Sequence, residues 1–315
     1  MTSLAGGVSS DIVRIDIDDR SICLKRALPK LKVAGEWHAD VRRNAHEVEW
    51  LAVAGKIVPG AVPEVLAADS RMNIYAMPFL DPATHPIWKS ELMAGRIKPG
   101  FAASLTTLLA RIHSRTANDA KLAEDFRHDA DFAALRLDPY LTATARAHPA
   151  LAATLSALRE RTAKTRLALV HGDVSPKNIL MGPSGPVLLD AECAWFGDPA
   201  FDLAFLLNHL CLKCLVNPSV VSLYMDEFRT GVNAYSAGCR FEAWDSMQSR
   251  VASLLPALML ARIDGLSPVD YLNDERQRTL VRDFAAASLL TLRASLAAHA
   301  DEWQAAVTAT AQRFN

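Results

Sequence analysis

Apolar and polar residues alternate singly near the start of the chain and then change to helical spacing. Val13, Ile15 and Ile17 alternate with Arg14 and Asp16, Asp18-Asp19-Arg20 turns the chain, and Ile22 and Leu24 alternate with Cys23 and Lys25. This period of two predicts two short strands over 11–28. Residues 38–54 place Val41, Ala45, Val48, Leu51 and Ala52 on one helical face. Lys56 to Pro63, with Pro59 and Gly60, reads as a loop. Val65-Leu66 and Ile74–Met77 are predicted as further strands, and Asp81-Pro82 breaks the pattern. Up to about residue 80 the chain is therefore a strand-rich unit with one helix.

Beyond the break the period lengthens. Phe101, Leu105, Leu108, Leu109 and Ile112 form an amphipathic stripe over 101–113. Helices are also predicted at about 131–146, 150–165, 200–215, 219–236, 241–262, 277–297 and 301–313. Only 167–170, 178–181 and 187–190 interrupt them with strand-like runs.

Those interruptions surround the most informative segment, His171-Gly172-Asp173-Val174-Ser175-Pro176-Lys177-Asn178. A His, an Asp two residues on and an Asn five beyond that Asp match the catalytic-loop spacing of protein-kinase-type phosphotransferases. The chemistry needs these residue types. An Asp beside the substrate hydroxyl takes its proton, and an Asn one short loop away offers an amide oxygen to Mg²⁺, a hard ion that prefers oxygen ligands. Asp190, ending the run Val187-Leu188-Leu189, supplies a second carboxylate at the same mouth. A small β-rich lobe over 1–80 and a larger helical lobe over 81–315 carrying the catalytic loop give an α+β, protein-kinase-like bilobal fold.

Composition narrows the picture further. With 315 residues, 50% hydrophobic, the chain is long enough for a buried core and for two lobes. A formal net charge of −1 gives no reason to expect a nucleic acid or an anionic membrane as partner. Five cysteines, an odd number in a chain of this size, argue for a reducing compartment rather than a disulfide scaffold. The start lacks the basic and apolar regions of a signal peptide, and no uncharged apolar run approaches the ~18 residues of a membrane span. The expected location is cytoplasmic.

The segments LVHGDVSPKNIL (169–180) and LLDAECAWFGDPAFDLAFLLNHL (188–210), with GGVSSDI (6–12) and the following Lys25, resemble the aminoglycoside phosphotransferase/choline kinase-like family, the small-molecule branch of the kinase-like fold. The resemblance implies an ATP-dependent, or GTP-dependent, transfer of phosphate to a hydroxyl of a small acceptor such as an aminoglycoside, amino alcohol or sugar. It implies Asp173 as catalytic base and Asn178 and Asp190 as Mg²⁺ ligands. Lys25 would hold the phosphates and pair with a helix carboxylate, Glu47 or Glu49; Glu47 flanks the face carrying Trp50 and Leu51, and Glu49 points away from it. Gly7, Ser9 and Ser10 would lie over the phosphates. With Met77 as gatekeeper, the Pro78 carbonyl and the Leu80 N–H would bind adenine, and proline keeps the acceptor needed there. Few residues precede the Gly6–Ser10 loop, so the strand entering it is expected to be very short or the chain truncated.

Departures from the protein-kinase pattern narrow the acceptor. Asp190 is followed by Ala191-Glu192 rather than Phe-Gly, no Ala-Pro-Glu segment occurs, and Asp198 comes eight residues later. Little room remains for docking a peptide. Residues 81–315 hold 25 Asp and Glu against 24 Lys and Arg, a balance that suits a compact polyol or amino alcohol better than a polycation. The pocket wall is expected near Trp244, Met247 and Tyr271. Glu192 reads equally as a metal or substrate neighbour and as a surface carboxylate, and Asp202 as an acceptor tying down the catalytic loop. His113 is read as a helix cap rather than a group approaching that loop. Trp88, Trp195 and Phe196 fit a cleft wall or the core, and Cys211 and Cys214, inside a Leu-rich helix, read as buried thiols rather than metal ligands. A catalytically inactive nucleotide-binding protein on the same fold would lack one of Lys25, Asp173, Asn178 or Asp190; all four are present.

Overall fold

A computed structural model describes residues 1–4, 10–18, 20–30, 40–291 and 295–312. Strands β1 (Thr2–Ser3), β2 (Ser10–Ile17) and β3 (Arg20–Ala27) are followed by helix α1 (Arg43–Ile57), then β4 (Ala67–Asp69) and β5 (Ile74–Pro78). They form an antiparallel sheet in the order β1-β2-β3-β5-β4. The alternation over 11–28 becomes the β2–β3 hairpin, paired from Ser10↔Ala27 to Ile17↔Arg20. Helix α1 starts later than its pattern suggests. Asp40 Oδ1 accepts the Arg42 N–H at 2.8 Å, a local bond that competes with helix formation. The predicted strand at Val65-Leu66 lies two residues further on, at β4.

The remainder is mainly helical: α2 (Trp88–Met93), α3 (Phe101–Thr116), α4 (Ala120–Asp125), α5 (Asp129–Phe132), α6 (Ala143–Ala147) and α7 (Ala152–Lys164). After them come β6 (Ala168–Val170), β7 (Ile179–Gly182), β8 (Gly185–Leu188) and β9 (Trp195–Gly197). Helices α8 (Pro199–Lys213), α9 (Val221–Gly238), α10 (Trp244–Asp264), α11 (Glu275–Thr291) and α12 (Leu296–Gln312) complete the fold. Between α5 and α6 the chain widens to a π-helix over Ala133–Thr142, with Pro139 inside it. Proline cannot donate and collides with the preceding turn, so the wider register relieves a run that is otherwise helical.

Helix α8 carries apolar residues all round, and every residue in it is buried. Asp198 caps it by accepting the Ala200 N–H at 3.0 Å, with Pro199 in its first turn. α8 packs mainly on α10, and α3 on α9, and this core extends under β6 and β9. The segment His171–Asn178 runs from β6, which pairs antiparallel with β9, into the β7–β8 hairpin. No helix among the described residues is long and apolar enough to cross a membrane.

Candidate active site

Backbone geometry holds the His-Gly-Asp turn. Gly172 sits at φ +78°, and a Cβ there would lie 2.5 Å from the Cys193 carbonyl oxygen. Only glycine tolerates both the left-handed conformation and the close approach. The Asp202 carboxylate accepts the His171 N–H at 2.7 Å and the Gly172 N–H at 2.8 Å. His113 Nε2 lies 3.2 Å from the same carboxylate, and its Nδ1 lies 2.7 Å from the Tyr235 hydroxyl. His113 is thus a buried link in the support of the loop; α3 continues past it to Thr116, so it does not cap the helix. The His171 ring bonds the Leu189 carbonyl through Nε2 at 3.1 Å and accepts the Asp173 N–H at Nδ1 at 3.2 Å. Burial lowers its pKa, which matches a neutral ring with one donor and one acceptor nitrogen.

Asp173 is 5% exposed. Its Oδ2 lies 2.9 Å from Arg136 Nη2 and 3.3 Å from Lys177 Nζ. Burial alone would raise its pKa, but Lys177 and Arg136 outweigh that and hold the carboxyl well below the usual range. Arg136 also donates to the Gly172 carbonyl at 2.6 Å and the Leu135 carbonyl at 2.7 Å. Sequence reasoning missed this residue. It sits on the π-helix, 37 positions before Asp173, and only the fold brings the two together. Lys177 was in view within the motif, and its spacing of four from Asp173 was the available signal.

Lys25, 3% exposed, donates to both Glu47 oxygens at 2.8 and 2.7 Å and also to Asp190 Oδ1. Glu47 is buried and Glu49 is exposed, so of the two candidates only Glu47 meets the lysine. Asp190 lies two residues beyond the end of β8, at φ +66°, a turn that aims its carboxylate at Lys25 from outside the strand. Glu192 is not on the surface: it pairs with the buried Arg43 of α1 at 2.9 Å. Asn178 uses Nδ2 on the Asp173 carbonyl at 3.1 Å, and no donor reaches its oxygen among the described residues.

A cleft of about 280 Å³ lies between the sheet and the His171–Asn178 segment. Ser10, Lys25, Glu47, Met77, Pro78 and Leu80 line it, facing Lys177, Asn178 and Asp190. Its walls are mostly apolar and its charged groups gather at one end, the arrangement that suits a flat heterocycle joined to an anionic tail. Asn178 and Asp190 bring oxygen ligands to that end, a donor set fitted to a hard divalent ion. Gly7 and Ser9 lie outside the described residues. Asp173 is not among the lining residues and sits beyond Lys177.

Other expectations resolve into the core. Trp88, Trp195 and Phe196 are 1%, 1% and 3% exposed. Cys211 and Cys214 are buried free thiols, and Met247 is fully buried. Tyr271 accepts from Lys213 at 3.2 Å, whereas Trp244 packs on Tyr235.

Residues 1–224 match the model of the phosphotransferase enzyme family. The chain is 27% identical over 218 residues to a methylthioribose kinase of Yersinia enterocolitica, covering 61% of this chain and 54% of that protein. It is 26% identical over 230 residues to a methylthioribose kinase of Bacillus cereus, covering 65% and 58%. The chain thus spans about half the length of the curated relatives it matches. A crystal structure of a choline/ethanolamine kinase family protein from Mesorhizobium loti superposes with a TM-score of 0.55 at 19% identity, covering 96% of this chain and 90% of that one. That likeness extends the kinase-like fold over nearly the full chain.

Proposed function

Because the chain belongs to the phosphotransferase enzyme family, we propose that it transfers the γ-phosphate of ATP to a hydroxyl of a small molecule. The observation that carries this reading is the convergence of Lys25, Glu47, Asn178 and Asp190 on one cleft, with Asp173 next to its charged end. Adenine would occupy the apolar end, bonding the Pro78 carbonyl and the Leu80 N–H with Met77 behind it, and Ser10 together with Gly7 and Ser9 would serve the phosphates. Lys25, oriented by Glu47, would hold the phosphates. Asn178 and Asp190 would hold Mg²⁺, which supplies charge neutralisation when bound. Asp173, ionised and fixed by Arg136, would orient the acceptor hydroxyl and take its proton. Catalysis would then rest on positioning and electrostatics. Residues 1–80 would serve the nucleotide, and 81–315 would carry the catalytic loop and the acceptor site. The methylthioribose kinase relatives support a sugar-like acceptor, and five free thiols support a cytoplasmic location.

The test is phosphate transfer from ATP, with GTP in parallel, to a panel of small alcohols in the presence of Mg²⁺. Asp173→Asn is expected to lower kcat by about 10²–10⁴ while leaving nucleotide binding nearly intact. Wild-type turnover in that variant would remove Asp173 from the mechanism. Tight ATP·Mg²⁺ binding with no transfer to any alcohol would favour an inactive nucleotide-binding protein.

A further inference from the structure

The inner face of α8 carries a ladder that the transfer chemistry leaves unused. Phe205, His209 and Lys213 recur every four residues, about 6 Å apart along the helix. At the lower end Arg136 lies over the Phe205 ring at 5.9 Å and reaches Asp173. At the upper end Lys213 lies over the Tyr271 ring at 4.6 Å. Lys213 is 1% exposed and His209 4%.

The charges on this ladder are not balanced. Lys213 bonds only neutral partners, the Tyr271 hydroxyl at 3.2 Å and His209 Nδ1 at 3.5 Å, and no carboxylate comes within ion-pair distance among the described residues. His209 Nε2 is buried without a partner. Arg262, packed over Tyr140, bonds the Tyr140 hydroxyl and Ser267 but no carboxylate among the described residues; its Nε is also unpartnered there. Asp270, next to Tyr271 in the chain, is paired with Lys89 at 3.0 Å and is 74% exposed in its side chain. Burial lowers the pKa of both Lys213 and His209, with further lowering of each from the neighbouring cations. The end of α8 offers Lys213 partial compensation from its last carbonyls. A buried lysine and histidine beside a half-buried arginine, with no counter-charge among the described residues, are costly to fold, and a bound anion would remove that cost.

We propose that the acceptor carries an oxyanionic group, held by Lys213, His209 and Arg262, while its hydroxyl faces Asp173. The inference rests on the phosphotransfer reading and makes it more specific. It replaces the polyol or amino alcohol suggested by the near-neutral charge of 81–315, because the local imbalance beside Asp173 is positive. An ammonium acceptor would meet Arg136, Lys177, Arg262 and Lys213 with no unpaired acid beside them among the described residues. Lys213 lies two helical turns along α8 from Phe205, whose ring Arg136 covers next to Asp173, so a short-chain acceptor is expected.

Paired acceptors test this: gluconate, ribonate and glycerate against sorbitol, ribitol and glycerol, with glucose 6-phosphate as the phosphate arm and ethanolamine as the cationic arm. The oxyanionic members are expected to exceed their neutral partners in kcat/KM by about tenfold or more. Which arm leads separates a carboxylate from a phosphate. Lys213→Met is expected to raise KM for the best oxyanion about 10- to 100-fold. In that variant the Kd for a non-hydrolysable ATP analogue should stay within twofold and the Tm should not fall. A lysine with a merely structural role would lower the Tm instead. If Lys213→Met does not fold, the half-buried Arg262→Met carries the same comparison. Binding is also read without turnover, as an oxyanion-selective rise in Tm in the wild type that is lost in the variant. That rise without any phosphate transfer would retain the anion site and reject the kinase reading. Equal handling of neutral and anionic partners, preference for ethanolamine, or no oxyanion-selective binding or turnover anywhere in the panel would overturn the proposal.

Discussion

A single methyl group added at Gly172 would disturb the site more than most larger changes. At φ +78° the alanine would be strained, and its Cβ would meet the Cys193 carbonyl. Gly172→Ala is expected to cost about 2–4 kcal/mol, read as a lower urea midpoint with unchanged slope, and to reduce turnover by moving Asp173. Arg136 acts by charge. Arg136→Met removes one of the two cations that hold the Asp173 carboxyl low, so the acid limb of kcat against pH should move upward and kcat should fall by tenfold or more. A limb that stays in place would mean that Lys177 alone sets the ionisation. At Asp190, replacement by Ala is expected to abolish the Mg²⁺ dependence of ATP binding. ATP affinity that still responds equally to Mg²⁺ would place the ion elsewhere. The sequence displayed Asp173, Asn178 and Asp190 because their chemistry is local and their spacing is set by two short strands. Arg136, Arg43 and Lys213 carry no such local mark. Each reads as an ordinary helix cation until packing removes it from water.

At the level of elements, α1 carries the most consequence. It brings Glu47 to Lys25 on one side, and on the other its His46 stacks on His128 with ring centroids 3.4 Å apart. Asp131 lies 3.9 Å from His46. Burial first, and then the charges of His128 and Arg42, lower the His46 pKa to about 4 from an ordinary 6.5. The folded state therefore holds fewer protons than the unfolded one in this range. The stability that depends on a neutral His46 is fully present above about pH 6.5 and is lost as pH falls towards 4. After solvent screening this amounts to about 1–2 kcal/mol. His46→Asn should flatten that part of the Tm–pH curve, and an unchanged slope would shift the effect to other groups. The long amphipathic helices were legible from periodicity alone, as α3 shows. Short elements were not: α2 and α4 hold six residues each and β9 three, too few for a period to register. Pro139 falls inside a stretch predicted as helical, and the pattern gave no sign of the wider turn that accommodates it.

Over the whole molecule, a ligand that spans the cleft should couple the sheet to the helical part. A non-hydrolysable ATP analogue with Mg²⁺ at a hundred times its Kd should stabilise the fold by about 2.7 kcal/mol, read as a rise in Tm that disappears in Asp190→Ala. The plan of two parts was legible because the change in period near residue 80 coincides with a change in architecture. The five cysteines have a separate consequence for experiment. All are free, and each is 8% exposed or less. Burial raises the pKa of Cys23 and, among the helix thiols, pushes Cys214 up to about 12, so little of either is in the reactive thiolate form. They sit at different depths, with Cys23 in the wall of the cleft beside Lys25 and Cys211 and Cys214 under α12, where Trp303 bonds the Cys211 carbonyl. Alkylation therefore acts as a clock for opening. The order in which the five sulfurs acquire label reports which layer of the protein breathes first, and nucleotide should slow the Cys23 hand of that clock most.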